Sequence, residues 1–119
     1  MDILLVDDDE ATLVTMGMFL SQRGCKVKTA SGGVEALKLL RAASFDWLIV
    51  DGNMTPINGL IVSGIAQEIR PGMRIVMISG TFQERDIAGT PILKLFTKPV
   101  DAEALLAYLR LPAPRPHLL

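Results

Sequence analysis

One cysteine stands in the whole chain, so no disulfide can close within it and nothing points to an oxidising compartment. No apolar run approaches the ~20 residues that a membrane helix needs, and the basic-then-apolar start of a signal peptide is missing. Charge is nearly balanced, with a formal net charge of −1. That leaves no electrostatic case for direct nucleic-acid or anionic-membrane binding. Internal repeats are absent as well. What is present is ordinary for a globular domain: 119 residues, 50% of them apolar and 21% charged, enough for one sizeable core. The expectation is a single cytoplasmic domain.

Five short apolar runs recur along it: Ile3 to Val6, Lys26 to Ala30, Trp47 to Val50, Ile75 to Ile78 and Ile92 to Phe96. Four are nearly continuous in apolar character or rich in β-branched residues, as in parallel strands covered on both faces. The second alternates and reads as an edge strand. Helical spacing fills the gaps. Leu13, Gly17 and Leu20 form one stripe, stopped by Gly24. Val34, Leu37 and Leu40 form the next, and Ile61, Ile65 and Ile69 a third, ended by Pro71-Gly72. Ala102, Leu105 and Leu109 make the last, with Asp101 placed as its N-cap. Between Gly80 and Pro91 the helical signal is poor and leaves room for about two turns.

The order βαβαβαβαβα predicts an α/β fold, a doubly wound parallel sheet with right-handed crossovers. Residues 111–119 hold three prolines and read as a loose tail after a domain of residues 1–110. Ligands of such sheets bind beyond the carboxyl ends of the strands, which is where the polar residues collect. The first run ends in Asp7-Asp8-Asp9-Glu10, the third in Asp51, the fourth in Ser79-Gly80 and the fifth in Thr97-Lys98-Pro99. Carboxylates converging on one rim repel one another unless a cation sits among them. Mg²⁺ suits the set, because it binds through a few carboxylates, waters and phosphate oxygens. Lys98 adds a point charge and Ser79 a hydroxyl donor. Together these make a site for phosphoryl transfer, with a carboxylate able to accept the group itself.

Four segments, ILLVDDDE, LIVDGNMTPINGL, VMISG and FTKP, each at a strand end and in this order, carry a family resemblance. The sequence resembles a receiver domain of two-component signalling, the CheY-like family, over about residues 2–110. The resemblance implies a flavodoxin-like five-stranded sheet in the order 2-1-3-4-5, with Asp51 as phosphoacceptor. It implies Mg²⁺ held by Asp8 and Asp51, with Asp7 helping through water and the backbone carbonyl of Asn53 as a further ligand. Ser79 would be the switch hydroxyl, Gly80 its neighbour at the phosphate, and Lys98 the partner of a phosphoryl oxygen. Lys98-Pro99 would be a cis bond, and Gly59 keeps its family distance from Asp51. The implied partner is a histidine kinase or histidine phosphotransfer protein. The only implied chemistry is gain of a phosphoryl group on the chain itself and its loss.

Three departures stand out. The family proline four residues after the phosphoacceptor is Thr55 here, and Pro56 follows. Leu95 occupies the place of the aromatic that usually rotates with the switch hydroxyl, with Phe96 beside it. The stretch from Ser79 to Lys98 is shorter than usual, at the expense of the fourth helix, which is expected to be short or irregular. The last two changes fall on the face most receivers use for output.

Plainer readings apply to several residues. Acids before a helix satisfy its free N–H groups, and Asp9 is read as doing only that. Cys25, Trp47 and Tyr108 read as packing residues, and His117 has no acid–base partner. Val14, Met18 and Phe19 lie outside the first helix's inner stripe, so a docking face for a partner helix or a homodimer is expected there. Two alternatives accompany the receiver reading. One is a pseudo-receiver, an adaptor with the fold and no phosphorylation. The other is a haloacid dehalogenase-type hydrolase with Asp7 as nucleophile and Asp9 completing D-x-D; Ala11, where that family has Thr or Val, and the missing cap domain speak against it.

Overall fold

The computed structural model describes residues 1–112 and alternates strand with helix along its length. In chain order the elements are β1 (Asp2–Val6), α1 (Glu10–Gln22), β2 (Lys26–Ala30), α2 (Gly33–Ala42) and β3 (Trp47–Asp51). There follow α3 (Gly59–Ile69), β4 (Arg74–Ser79), α4 (Glu84–Ile87), β5 (Ile92–Thr97) and α5 (Ala102–Leu109). The strands form one parallel sheet, as the βα alternation implies, in the order β2-β1-β3-β4-β5 that the family resemblance implies.

Each central strand buries both faces, and the pleat sorts its residues between two cores. Leu4, Val6, Leu48, Val50, Ile75 and Met77 face α2 and α3, where they meet Ala36, Leu37, Leu40, Val62 and Ala66. Ile3, Leu5, Trp47, Ile49, Val76 and Ile78 face α1 and α5, against Leu13, Met16, Leu20, Leu105, Leu106 and Leu109. Double coverage is why these runs read as continuously apolar. β2 is the half-exposed edge that its alternation indicated.

The ends of the helices follow local chemistry. Asp9 caps α1 through the Ala11 N–H at 3.2 Å, and Asp101 caps α5 through Ala104 at 3.1 Å. Gly24 follows α1 with a φ of 89°, a left-handed value that a side chain would oppose. At the far end of β3 the indole N–H of Trp47 donates to Leu109 O at 3.1 Å, fastening α5 to the sheet. Lys98-Pro99 is cis, as is Thr55-Pro56.

Two expectations need correction, the facing of α2 and α3 and the place of Phe19 on α1. Val34 is 53% exposed and Ile61 47% exposed, so neither belongs to an inner stripe. The buried positions are Gly33, Ala36, Leu37 and Leu40 in α2, and Gly59, Val62, Ser63 and Ala66 in α3. Small side chains let these helices lie close on the sheet, and the bulkier residues beside them turn outward. Ile65 and Ile69 are partly buried at the flank of that core. The fourth helix is a single turn of four residues, short as the poor helical signal between Gly80 and Pro91 indicated. On α1, Val14 and Met18 are exposed, whereas Phe19 is half-buried under the Arg23 guanidinium, 3.7 Å from its ring centroid. The loose-tail expectation for residues 113–119 lies outside the described residues; Leu111 accepts a hydrogen bond from Arg74 at 3.3 Å. Among the described residues no helix is long and apolar enough to cross a membrane.

Candidate functional site

Four strands end on the same rim, and register sets the height of each end. Asp51 pairs with Ile78, and Ser79 with Thr97, so Asp51, Ser79 and Lys98 emerge within one step of each other. The Lys98 N–H donates to Ser79 O at 3.0 Å, and the Asp7 N–H to Ala30 O at 3.2 Å. Backbone ladders thus fix the bases of the side chains before any side chain interacts.

The carboxylates gather. Ligand oxygens of Asp7, Asp8 and Asp51 all lie within 4.8 Å of one another. Asp7 and Asp51 are buried, each with 3% exposure, and Asp8 faces solvent. Lys98 Nζ reaches over them, 3.3 Å from Asp51 Oδ1 and 3.6 Å from Asp7 Oδ2. Asp7 Oδ1 also accepts from the Asp9 N–H at 2.9 Å, and Asp51 Oδ1 from the Asn53 N–H at 3.4 Å.

The charges follow from this packing. Burial pushes the Asp7 carboxyl above its ordinary range, and the Asp51 charge adds to the push. The Asp9 amide and the Lys98 ammonium oppose it without cancelling it. Burial also works against the charge on Lys98, yet the Asp51 and Asp7 carboxylates outweigh it and hold the ammonium above the ordinary lysine value. A site with three carboxylates, one ammonium and an exposed mouth has donors of the kind a hard divalent cation takes. The donor set therefore fits Mg²⁺, with Asp7, Asp8 and Asp51 as the residues that would hold it.

Beside the acids, Ser79 is fully buried. Its Oγ donates to Asn53 Oδ1 at 2.9 Å and accepts from the Thr81 and Phe82 N–H groups at 3.0 and 2.9 Å. Gly80 is exposed and lies against the stem of Lys98. Gly59 packs on the backbone of Asp51 and Gly52, and its N–H donates to Gly52 O at 3.0 Å. Leu95 is 8% exposed and belongs to the core between the sheet and α2–α3.

Of the expected residues, the fold brings Asp7, Asp8, Asp51, Asn53, Ser79, Gly80 and Lys98 together and sets Leu95 apart in the core. The side chains of Asn53, Thr81 and Phe82 are what sequence reasoning missed. Ser79-Gly80-Thr81-Phe82 does carry a signal, because a serine hydroxyl readily accepts from amides two and three residues ahead.

Comparison with known proteins places this arrangement. The family model described as the response regulator receiver domain matches residues 3–110. The transcriptional regulatory protein GlrR of Escherichia coli is 34% identical over 106 residues, covering 87% of this chain and 24% of that protein. The chain thus spans about a quarter of that relative's length. A CheY-like response regulator receiver domain protein from Methanospirillum hungatei superposes with a TM-score of 0.87 at 26% identity, over 92% of this chain and 90% of that one. A response regulator from Burkholderia pseudomallei, solved with a phosphorylated aspartic acid, a calcium ion and citrate, superposes with a TM-score of 0.83 at 28% identity. That match covers 92% of this chain and 66% of the other. The chain belongs to the response regulator receiver domain family.

Proposed function

We propose that the chain is a phosphorylation switch: Asp51 accepts a phosphoryl group, with Mg²⁺, from a histidine kinase or histidine phosphotransfer protein. The observation that carries this reading is the Lys98 ammonium set between two buried carboxylates, with a third carboxylate inside 4.8 Å. Such a cluster is costly unless used, because burial already penalises the charge on Asp7.

An Asp51 carboxylate oxygen attacks the phosphorus of the donor, the bond from phosphorus to the donor breaks, and its electron pair leaves with the donor. The product is an acyl phosphate on Asp51, with up to about two negative charges and strong acceptor oxygens. Lys98 stands where it can neutralise that charge as it builds. Ser79 can donate its hydroxyl proton to a phosphoryl oxygen. Mg²⁺, when bound, would offset the carboxylate repulsion and the charge on the transferring group. Asp7 and Asp8 would contribute charge to that ion, and the backbone of Asn53 would offer its carbonyl. The phosphorylated aspartate and the divalent ion in the Burkholderia relative support the reading. Output is through protein–protein contact, by a shift between two arrangements of the surface around Ser79.

Intact mass after incubation with Mg²⁺ and acetyl phosphate tests the proposal, with Asp51→Asn alongside. The expected result is one added phosphoryl group that requires both Mg²⁺ and Asp51. Labelling that survives Asp51→Asn and disappears in Asp7→Asn would favour the hydrolase chemistry. No labelling from acetyl phosphate or from a histidine kinase would favour the unphosphorylated adaptor.

A further inference from the structure

A serine hydroxyl has one proton to give and two lone pairs to share, and at Ser79 all three are engaged. The proton goes to Asn53 Oδ1, and the lone pairs go to the Thr81 and Phe82 N–H groups. The side chain is fully buried. The Asn53 carboxamide is itself oriented, because Thr81 Oγ1 lies across it, 2.8 Å from Nδ2 and 3.0 Å from Oδ1. Because two N–H groups already take the lone pairs of Ser79 Oγ, the hydroxyl has only its proton to offer, so the oxygen end of the amide faces it. Phosphoryl oxygens are acceptors. The part of Ser79 they can use is the hydroxyl proton, which Asn53 already holds.

We infer that Asn53 is a positioning residue whose carboxamide competes with the phosphoryl group for the Ser79 proton, and that Phe82 registers the outcome. The inference rests on Asp51 being the phosphoacceptor. Movement of Ser79 Oγ toward Asp51 breaks its bonds to both amides, so the Gly80–Phe82 turn loses its anchor. Phe82 is half-buried against the core under α2 and α3. Its ring covers Gly52 so closely that any β-carbon there would collide with it. Phe82 is therefore fastened to the site twice: by its N–H to Ser79, and by its ring to the residue that follows Asp51. Leu95, where the family carries its rotating aromatic, is packed in the core and has no aromatic ring to rotate. The reporter has moved from β5 to the β4–α4 turn.

The test is a titration of the full chain with beryllofluoride, a phosphoryl mimic, at saturating Mg²⁺, followed by amide NMR. Wild type is compared with Asn53→Ala, Ser79→Ala, the double variant and Thr81→Val. Asn53 and Thr81 are exposed, and alanine keeps the Asn53 carbonyl. Asn53→Ala should tighten beryllofluoride about fivefold, the effect of removing one competing hydrogen bond. Thr81→Val, which frees the carboxamide, should tighten it about twofold by the same reasoning. In the Ser79→Ala background, Asn53→Ala should add nothing. The Thr81 and Phe82 amide signals should shift on binding in wild type. Unchanged or weaker affinity in Asn53→Ala, equal tightening without Ser79, or immobile Thr81 and Phe82 signals would each overturn the competition. If acetyl phosphate does not label Asp51 and beryllofluoride does not bind, the phosphoacceptor reading fails, and this inference with it. If labelling is normal and the variants behave as wild type, this inference alone fails.

Discussion

Lys98 Nζ lies 3.3 Å from Asp51 Oδ1, although β3 and β5, which deliver the two residues, are separated in the sheet by β4. The lysine spans the end of the intervening strand, where Ser79 emerges, and closes the site from the far side. One side chain therefore sets the charge balance of the acids and links two non-adjacent strand ends. The variants below separate these contributions.

Lys98→Met leaves two buried carboxylates facing each other. Breaking a fully buried pair costs about 3–5 kcal/mol. The Lys98 side chain is 36% exposed, and solvent screening reduces the expected loss to about 1–2 kcal/mol. Because the Lys98 pKa is raised, its contribution is complete below the ordinary value of 10.5 and fades as the pH climbs past it. At the acid end, protonation of Asp7 removes a charge that Lys98 offsets. Urea unfolding in metal-free buffer should show the loss at pH 7 and a narrower gap at pH 4. An equal gap at both would place the lysine's contribution elsewhere.

Asp7→Asn should act in the opposite direction. The folded carboxyl holds its proton more tightly than the unfolded one. Folding is thus favoured at low pH and penalised as the pH rises from the ordinary value of 3.8 through the raised one. Burial is the largest cause, larger than the Lys98 attraction, so removing the charge stabilises the metal-free protein. We expect a higher Tm at pH 7 and no difference at pH 3, where the carboxyl is protonated in both states. Added Mg²⁺ should raise the Tm of wild type and not of Asp7→Asn. A lower Tm for Asp7→Asn in chelator at pH 7 would mean that the ion pair outweighs burial.

The strand ends were legible because chemistry changes abruptly there: Val6 to Asp7, Val50 to Asp51, Ile78 to Ser79 and Phe96 to Thr97-Lys98 each pass from apolar run to polar group. The facing of α2 and α3 was not. α3 is apolar almost all round, so spacing alone could not tell Ile61 from Val62. The choice came from Gly59, Ser63 and Ala66, whose small size lets one face approach the sheet. The Asn53–Ser79–Thr81 contacts join loops after two different strands. They depend on the pairing of Asp51 with Ile78, which a linear reading does not supply.

The two neighbours in α3 make a direct test of that facing. Ile61 is 47% exposed and Val62 is fully buried. Ile61→Ser should change stability by no more than about 0.5 kcal/mol, as surface substitutions do. Val62→Ala should cost about 2 kcal/mol through lost burial and the cavity left behind. Denaturant midpoints at constant slope decide it. A larger loss from Ile61→Ser than from Val62→Ala would restore the Ile61/Ile65/Ile69 stripe and rotate α3 on the sheet.

Gly59→Ala joins fold to function most directly. A β-carbon there would lie 2.5 Å from the Asp51 carbonyl oxygen and 2.9 Å from Gly52 Cα. Both are backbone atoms and cannot rotate away. The Gly59 N–H also donates to Gly52 O at 3.0 Å, so the start of α3 is fastened to the turn that the methyl group would push. Overpacking of this kind costs about 1–3 kcal/mol, and the displacement falls on the residue that Lys98 must reach. We expect a lower urea midpoint together with slower labelling of Asp51 by acetyl phosphate. The Trp47 emission of the folded protein should be unchanged, since Trp47 sits at the other end of β3. Lost stability with an unaltered labelling rate would show that α3 yields to the methyl group while Asp51 keeps its place.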